Sequence, residues 1–293
     1  MKAVAADISD KPSPARWRRI WRDRNGRLGL LFMGLVLLLA LSGLILGADP
    51  NRIDIPQRLA APSLAHWLGT DNLGRDLTAR ISAGTRSALT LALLIVAASA
   101  FLGAVIGTAA GLFGRWLDWI VTAIFDTLSA FPALILAFSL VALYGTGRQT
   151  FVILAILIFL PQFGRLARAR AQALRHQSFV EAERLLGVHP MVIVLRHILP
   201  NIAGPLIVLA GMNIPVVITF EAGLSFLGLG VQPPASSLGT LIKDGFIYMS
   251  ESWWPTIGAA GTLALATLGS TLLAETFRDI LDPKSATDVE GRA

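Results

Sequence analysis

EAERLLGVHPMVIVLRHILPN, residues 181–201, is a polar helix–break–helix inside a chain that otherwise reads as dissolved in lipid. Ser178 can cap a helix over residues 179–186, with Glu181 near its positive N-terminal end. Glu181 and Arg184 are i, i+3 partners on that helix. Gly187 suits the left-handed position just past a helix end, and Pro190 suits the first turn of a new helix. Residues 191–199 then lead into an apolar run that begins around Pro200. A short helix alone is marginal in water, so this pair needs a membrane domain or a partner to hold it. Plain connections between helices are usually much shorter.

The flanking sequence sets the medium. Of 293 residues, 54% are hydrophobic and 15% charged, and the apolar ones come in long uncharged blocks. That pattern argues for an all-α, polytopic membrane protein over a large soluble helical core. Six spans are predicted: 28–48, 87–114, 119–147 (interrupted only by Asp126), 149–164 continuing past Arg165 toward Leu174, 197–220 and 252–274. One more uncharged window, 222–242, contains several glycines and Pro233-Pro234. These break a continuous helix, so the window reads as the end of the fifth span plus an external or re-entrant segment. The expected organisation is an N-terminal tail over 1–27, a first span over 28–48 and an external segment over 49–86. A five-helix core over 87–277 follows, with a cytoplasmic loop at 175–200 and a C-terminal tail over 278–293. The first apolar run is too long for a signal-peptide core and no small-residue cleavage site follows, which predicts an uncleaved span.

The net charge of +6 is not a nucleic-acid signal, because position matters more than sum. With the N-terminus inside, eighteen of the 25 Lys and Arg residues fall on the inner side. Both termini and the 181–201 stretch are therefore expected in the cytoplasm. Cysteine is absent, which removes disulfides and thiolate metal sites.

Little in the chain points to catalysis. There is no phosphate-binding G-x-x-x-x-G-K-[ST], and His66, His176, His189 and His197 lie outside or at the ends of spans. The GLSFLG context of Ser225 has only a superficial likeness to a nucleophile elbow. Asp126 and Glu221 lie in or at the edge of apolar spans, where a carboxylate should face protein or water. They are candidates for a translocation path or gate, including proton coupling; capping or local pairing is the plainer reading. Glu275 and Arg278 are spaced for an interfacial ion pair. In the external segment, HWLGTDNLGRDLTAR (66–80) places Asp71 with Arg75 and Asp76 with Arg80 at i, i+4. With Thr70 or Asp71 as cap and Gly69 as turn, an external helix is expected there. Asp71, Arg75 and Asp76 are its candidates for docking a partner. Gly103, Gly107 and Gly111 stack on one helix face, which predicts close packing against another helix.

These residues resemble a known family. Glu181-Ala182, then Gly187, then Leu199-Pro200 is similar to the EAA loop of permease subunits of bacterial ABC importers. That family has a second alanine where this chain has Glu183. HWLGTDNLGRD, DTLSAFPALILA (126–137), RHILPN (196–201) and FEAGLSFLGLGVQPP (220–234) narrow the resemblance. They resemble the dipeptide/oligopeptide/nickel permease group, and within it the second, C-type subunit, over residues 28–283. The resemblance implies a type I importer permease fold with cytoplasmic coupling helices, in the bacterial inner membrane. It implies ATPase coupling through Glu181, Ala182, Glu183, Leu185, Leu186, Gly187 and Pro190. It also implies a homologous permease, two ATPase subunits that bind the ATP and Mg, and an extracytoplasmic substrate-binding protein. No cofactor is expected on this chain. The implied cargo is a di- or oligopeptide; a nickel chelate or glutathione is the alternative within the group. A proton-coupled carrier and a structural or assembly protein are the alternatives outside it.

Overall fold

The glycine stripe seats one helix on another. In the computed structural model, a Cβ at Gly103 would lie 2.6 Å from the Cβ of Phe163, and one at Gly107 would lie 2.1 Å from the Gly164 carbonyl oxygen. One at Gly111 would meet the Arg168 oxygen at 2.8 Å. Only hydrogen fits at these three places, so the two backbones touch and gain dispersion contacts along their length. The structure describes Trp21, residues 23–45, Gly47 and residues 49–281. Most of both predicted tails lies outside these.

The described elements are helices, with no strand among them. In order they are α1 (Arg24–Ile45), α2 (Leu77–Leu112), α3 (Arg115–Ala130), α4 (Ala133–Tyr144), α5 (Arg148–Arg175), α6 (Ser178–Leu185), α7 (Pro190–Ile193), α8 (Leu199–Phe226), α9 (Leu238–Ile247) and α10 (Trp254–Leu281). A π-helical turn, Val194–Ile198, joins α7 to α8. Five of the helical segments are long and apolar enough to cross a membrane, and α3 with α4 makes a sixth if the bent pair counts as one span.

The glycine stripe joins α2 to α5, and the core spreads from that contact through Phe151, Leu154, Phe163, Ile202 and Ile218. α1 lies against α2 and α10. Gly43 N–H donates to Ser82 Oγ at 3.0 Å, Ser82 Oγ donates to the Ala40 carbonyl at 2.7 Å, and Arg86 reaches the same carbonyl at 2.6 Å. Gly29 sits so close to Leu273 of α10 that a Cβ would lie 3.0 Å from its backbone nitrogen.

Three expectations need correction. The expected external helix over 66–80 does not form. Residues 66–76 run as turns, and the helix starts at Leu77 with Asp76 as its cap, accepting from Ala79 N–H at 2.8 Å. From that cap α2 continues unbroken into the second predicted span, so 77–86 form the first turns of that same helix. Ile81 there is buried with Leu238, Leu241 and Ala259. The third span is not one rod: α3 and α4 meet at 93°. Pro132 lacks an N–H and pushes Phe131 into extended backbone (φ −77°, ψ 128°), which ends α3. The Glu275–Arg278 ion pair is also absent among the described residues. The 222–242 window is broken where its glycines and prolines predicted. α8 ends at Phe226, Gly228 turns at φ +81°, and the chain passes a cis Pro233-Pro234 bond before α9.

Candidate functional site

The opening stretch folds into an elbow. α6 starts at Ser178 with Glu181 in its first turn. Leu186 N–H closes back on the Ala182 carbonyl at 3.0 Å, and Val188 N–H on that of Glu183 at 3.1 Å. Gly187 takes φ +74°, the left-handed conformation expected of it. Pro190 opens α7, and Val192 N–H returns to the His189 carbonyl at 2.9 Å. The Arg184 side chain is outside what is described, so its pairing with Glu181 stays an expectation.

Three contacts hold α6 to the bundle. Val180 is fully buried. The Phe179 ring lies 5.8 Å from the His197 ring, centroid to centroid. Glu183 Oε1 and His197 Nε2 are 2.7 Å apart, with both side chains mostly covered. The acid at 183 thus ties the short helix to the π turn that leads into α8. At the tip, Leu185 and Leu186 are 89% and 81% exposed.

The other candidates fall elsewhere. Asp126, on α3, is 64% exposed at its side chain and pairs with Arg165 at 3.1 Å. Glu221, on α8, is 1% exposed. Its Oε1 accepts from Ser225 at 2.7 Å and from Ser237 at 2.8 Å. Since Ser237 also caps α9, this carboxyl latches the end of α8 to the start of α9. Asp126 and Glu221 are not brought together, and neither lines the large cavity. That cavity, about 750 Å³, lies between α4, α8 and α10. Its wall is mainly apolar, with Pro215, Phe220, the hydroxyls of Thr219, Thr267 and Thr271, and Glu275. Sequence reading assigned Glu275 to an ion pair and missed the threonines, which carry no local signal.

In the outer segment the proposed docking residues turn inward. Asp71 is 3% exposed and Arg75 9%. The Asp71 carboxylate accepts from the Leu73 and Arg75 N–H groups at 2.8 and 2.9 Å and from Arg75 Nε at 2.7 Å. Arg80 Nε lies 3.3 Å away, on a side chain 1% exposed. Asp244 of α9 borders this cluster. Burial holds its carboxyl above the ordinary range, outweighing the opposing pull of Arg80 and Arg75. Asp76 is engaged by its cap and by His66 Nδ1 at 2.7 Å. The Asp71 carboxylate is thus satisfied by neighbouring N–H groups and guanidiniums and acts as an internal staple. Among its large apolar side chains the segment exposes Leu64, at 98%, and Trp67, Ile53 and Ile55, at 56–59%.

Residues 103–287 match the family model for a binding-protein-dependent transport system inner membrane component. A Brucella abortus protein named as a peptide transport system permease is 36% identical over 279 residues, covering 95% of this chain and 94% of that protein. The dipeptide transport system permease protein of Alkalihalophilus pseudofirmus is 33% identical over 269 residues, 92% and 88% of the two chains. The glutathione transport system permease protein of Pectobacterium atrosepticum is 34% identical over 290 residues, 97% and 96% of the two. Among solved structures, a chain of an inward-facing MetNI methionine ABC transporter aligns with TM-score 0.49 and 19% identity, over 67% of this chain and 95% of that one. By the family model and by relatives aligned over nearly its whole length, the chain belongs to the inner-membrane components of binding-protein-dependent transport systems, as an ABC importer permease of the peptide/nickel group.

Proposed function

We propose that this chain is the non-catalytic, path-forming subunit of an ATP-driven importer of short peptides. Its termini and α6 face the cytoplasm. It pairs with a homologous permease, and an extracytoplasmic binding protein delivers cargo to the other face. Two ATPase subunits bind the ATP and Mg, and α6 docks on one of them. The observation that carries this reading is the elbow: Leu185 and Leu186 are held out from the bundle at the tip of an anchored helix. Residues 181–187 and Pro190 form the lever. When the ATPases close, movement of that lever biases the permease pair between inward- and outward-facing packings. The glutamate–histidine tie and the buried Val180 transmit the movement into α8 rather than letting α6 swing alone.

The peptide cargo is supported by the names of the Brucella and Alkalihalophilus relatives. The test is uptake of labelled dipeptides, glutathione and a nickel chelate in a strain lacking the chain, with and without its restoration. Dipeptide uptake that needs both the chain and the ATPases is the expected result. Uptake of glutathione or nickel alone overturns the cargo and keeps the permease. Uptake that survives loss of the ATPases but collapses with the proton gradient overturns ATP coupling itself.

A further inference from the structure

We propose that a groove beside the base of α6 binds the phosphate of an anionic membrane lipid. The inference requires only that the chain lies in a bilayer, and is independent of cargo and of ATPase docking. The groove is a cavity of about 370 Å³ where the end of α2, the start of α3 and the end of α5 converge, lined by Gly111, Gly114, Arg115, Asp118, Arg175 and His176. A second cavity of about 530 Å³ shares Arg115 and Asp118 and adds Trp116, Trp119 and Arg168.

The charge balance is positive. Asp118, the one acid in the lining, is engaged by Arg168, whose Nε and Nη2 donate to its two oxygens, the latter at 2.7 Å. Gln172 Nε2 adds a third donor at 3.3 Å. Arg168 and Asp118 therefore cancel. Arg115 and Arg175 make no ion pair with any described residue, and neither does His176. Two guanidiniums and an imidazole are left lining a cavity whose one acid is already paired with Arg168. α3 also begins there without a side-chain cap, so its first-turn amides add positive potential in the same direction.

The aromatic pair distinguishes a lipid from a free ion. Trp116 and Trp119 are 77% and 69% exposed. They stand where the apolar run of α2 has just ended and the cations begin. Exposed indoles at that level favour the headgroup–acyl boundary, and basic pockets between helices there suit anionic headgroups. A freely diffusing phosphate has no use for them. The groove also abuts the lever: α5 passes from Arg175 and His176 into α6 across Gln177, whose carbonyl accepts from Val180 N–H at 3.0 Å. A headgroup clamped there braces the foot of the coupling helix.

The test uses the full chain assembled with its partner subunits in nanodiscs, with photoactivatable phosphatidylglycerol and phosphatidylcholine as probes. The phosphatidylglycerol probe should label the peptides around Arg115 and Arg175, well above the phosphatidylcholine probe. Arg115→Gln with Arg175→Gln should cut that labelling by about 25-fold, at about fivefold per arginine near an anionic surface. Lys at both positions should largely retain it, and Arg52→Gln in the outer segment should not change it. Equal labelling by both lipids overturns the proposal, as does unchanged labelling of the double Gln variant. Loss of labelling in excess inorganic phosphate assigns the groove to a free anion and overturns the lipid. Should the double variant fail to assemble, the single Gln variants are judged by the same limits.

Discussion

At Gly187 the side chain is absent for a conformational reason, not a steric one. A Cβ would meet nothing within 4 Å, yet the backbone holds φ +74°. An L-residue there costs about 1–2 kcal/mol, more for a β-branched one. That is enough to unfix the turn and too little to unfold the bundle. Gly187→Val should insert and assemble normally while losing peptide uptake and substrate-stimulated ATP hydrolysis. Wild-type levels of both in purified, reconstituted importer would rule out α6 as the lever. Asp71 makes the opposite case, a side chain whose every bond is internal. Asp71→Ala leaves Arg75 and the fully enclosed Arg80 short of their anion. Removing one member of a buried ion pair costs about 3–5 kcal/mol. A large drop in thermal unfolding temperature is expected, with loss of assembled complex. A normal melting curve together with lost binding-protein affinity would restore the docking role that its burial argues against.

The elements are set by where backbones can approach. Gly107 is the tightest point of the α2–α5 contact. Gly107→Val should therefore hurt more than Gly204→Val, although both glycines lie inside long helices, because Gly204 has open space around it. Overpacking costs about 1–3 kcal/mol. The measurement is the yield of folded protein in detergent; equal yields for the two variants would mean that the helices separate readily there. The small-residue spacing was legible in the sequence because a period of four places glycines on one helix face. The bend between α3 and α4 was written in Phe131-Pro132, but in an apolar window a proline signals only a weak spot. Whether the chain kinks slightly or turns by 93° depends on the neighbours it packs against. The start of α2 was misplaced for a related reason. Thr70 or Asp71 was the expected cap, but Asp71 turns in to Arg75 and Arg80, and Asp76 does the capping.

For the whole molecule, the positive-inside count predicts which end faces which compartment. The chain has no native cysteine, so single reporters read this directly. Ser178→Cys and Ser63→Cys are both at exposed positions, at the base of α6 and in the outer segment. In intact cells an impermeant maleimide should label the second and spare the first; the reverse pattern inverts the topology and removes α6 from the ATPase side.

The sequence by itself determined the medium, the elbow at 181–201 and the permease resemblance. All of these follow from local composition or from short contiguous patterns. Charge-free length measures a bilayer, Gly187 and Pro190 have conformations of their own, and motif order survives without folding. Only the tertiary structure decided which charges are spent inside the protein. Glu183 meets His197, Glu221 meets Ser237 and Asp71 meets Arg80. The tertiary structure also decided which cations form no ion pair among the described residues, at Arg115 and Arg175, and that Glu275 lines a cavity with three threonines. A charge reads the same in sequence whether it is paired or not, because its partner is fixed by packing between helices distant along the chain.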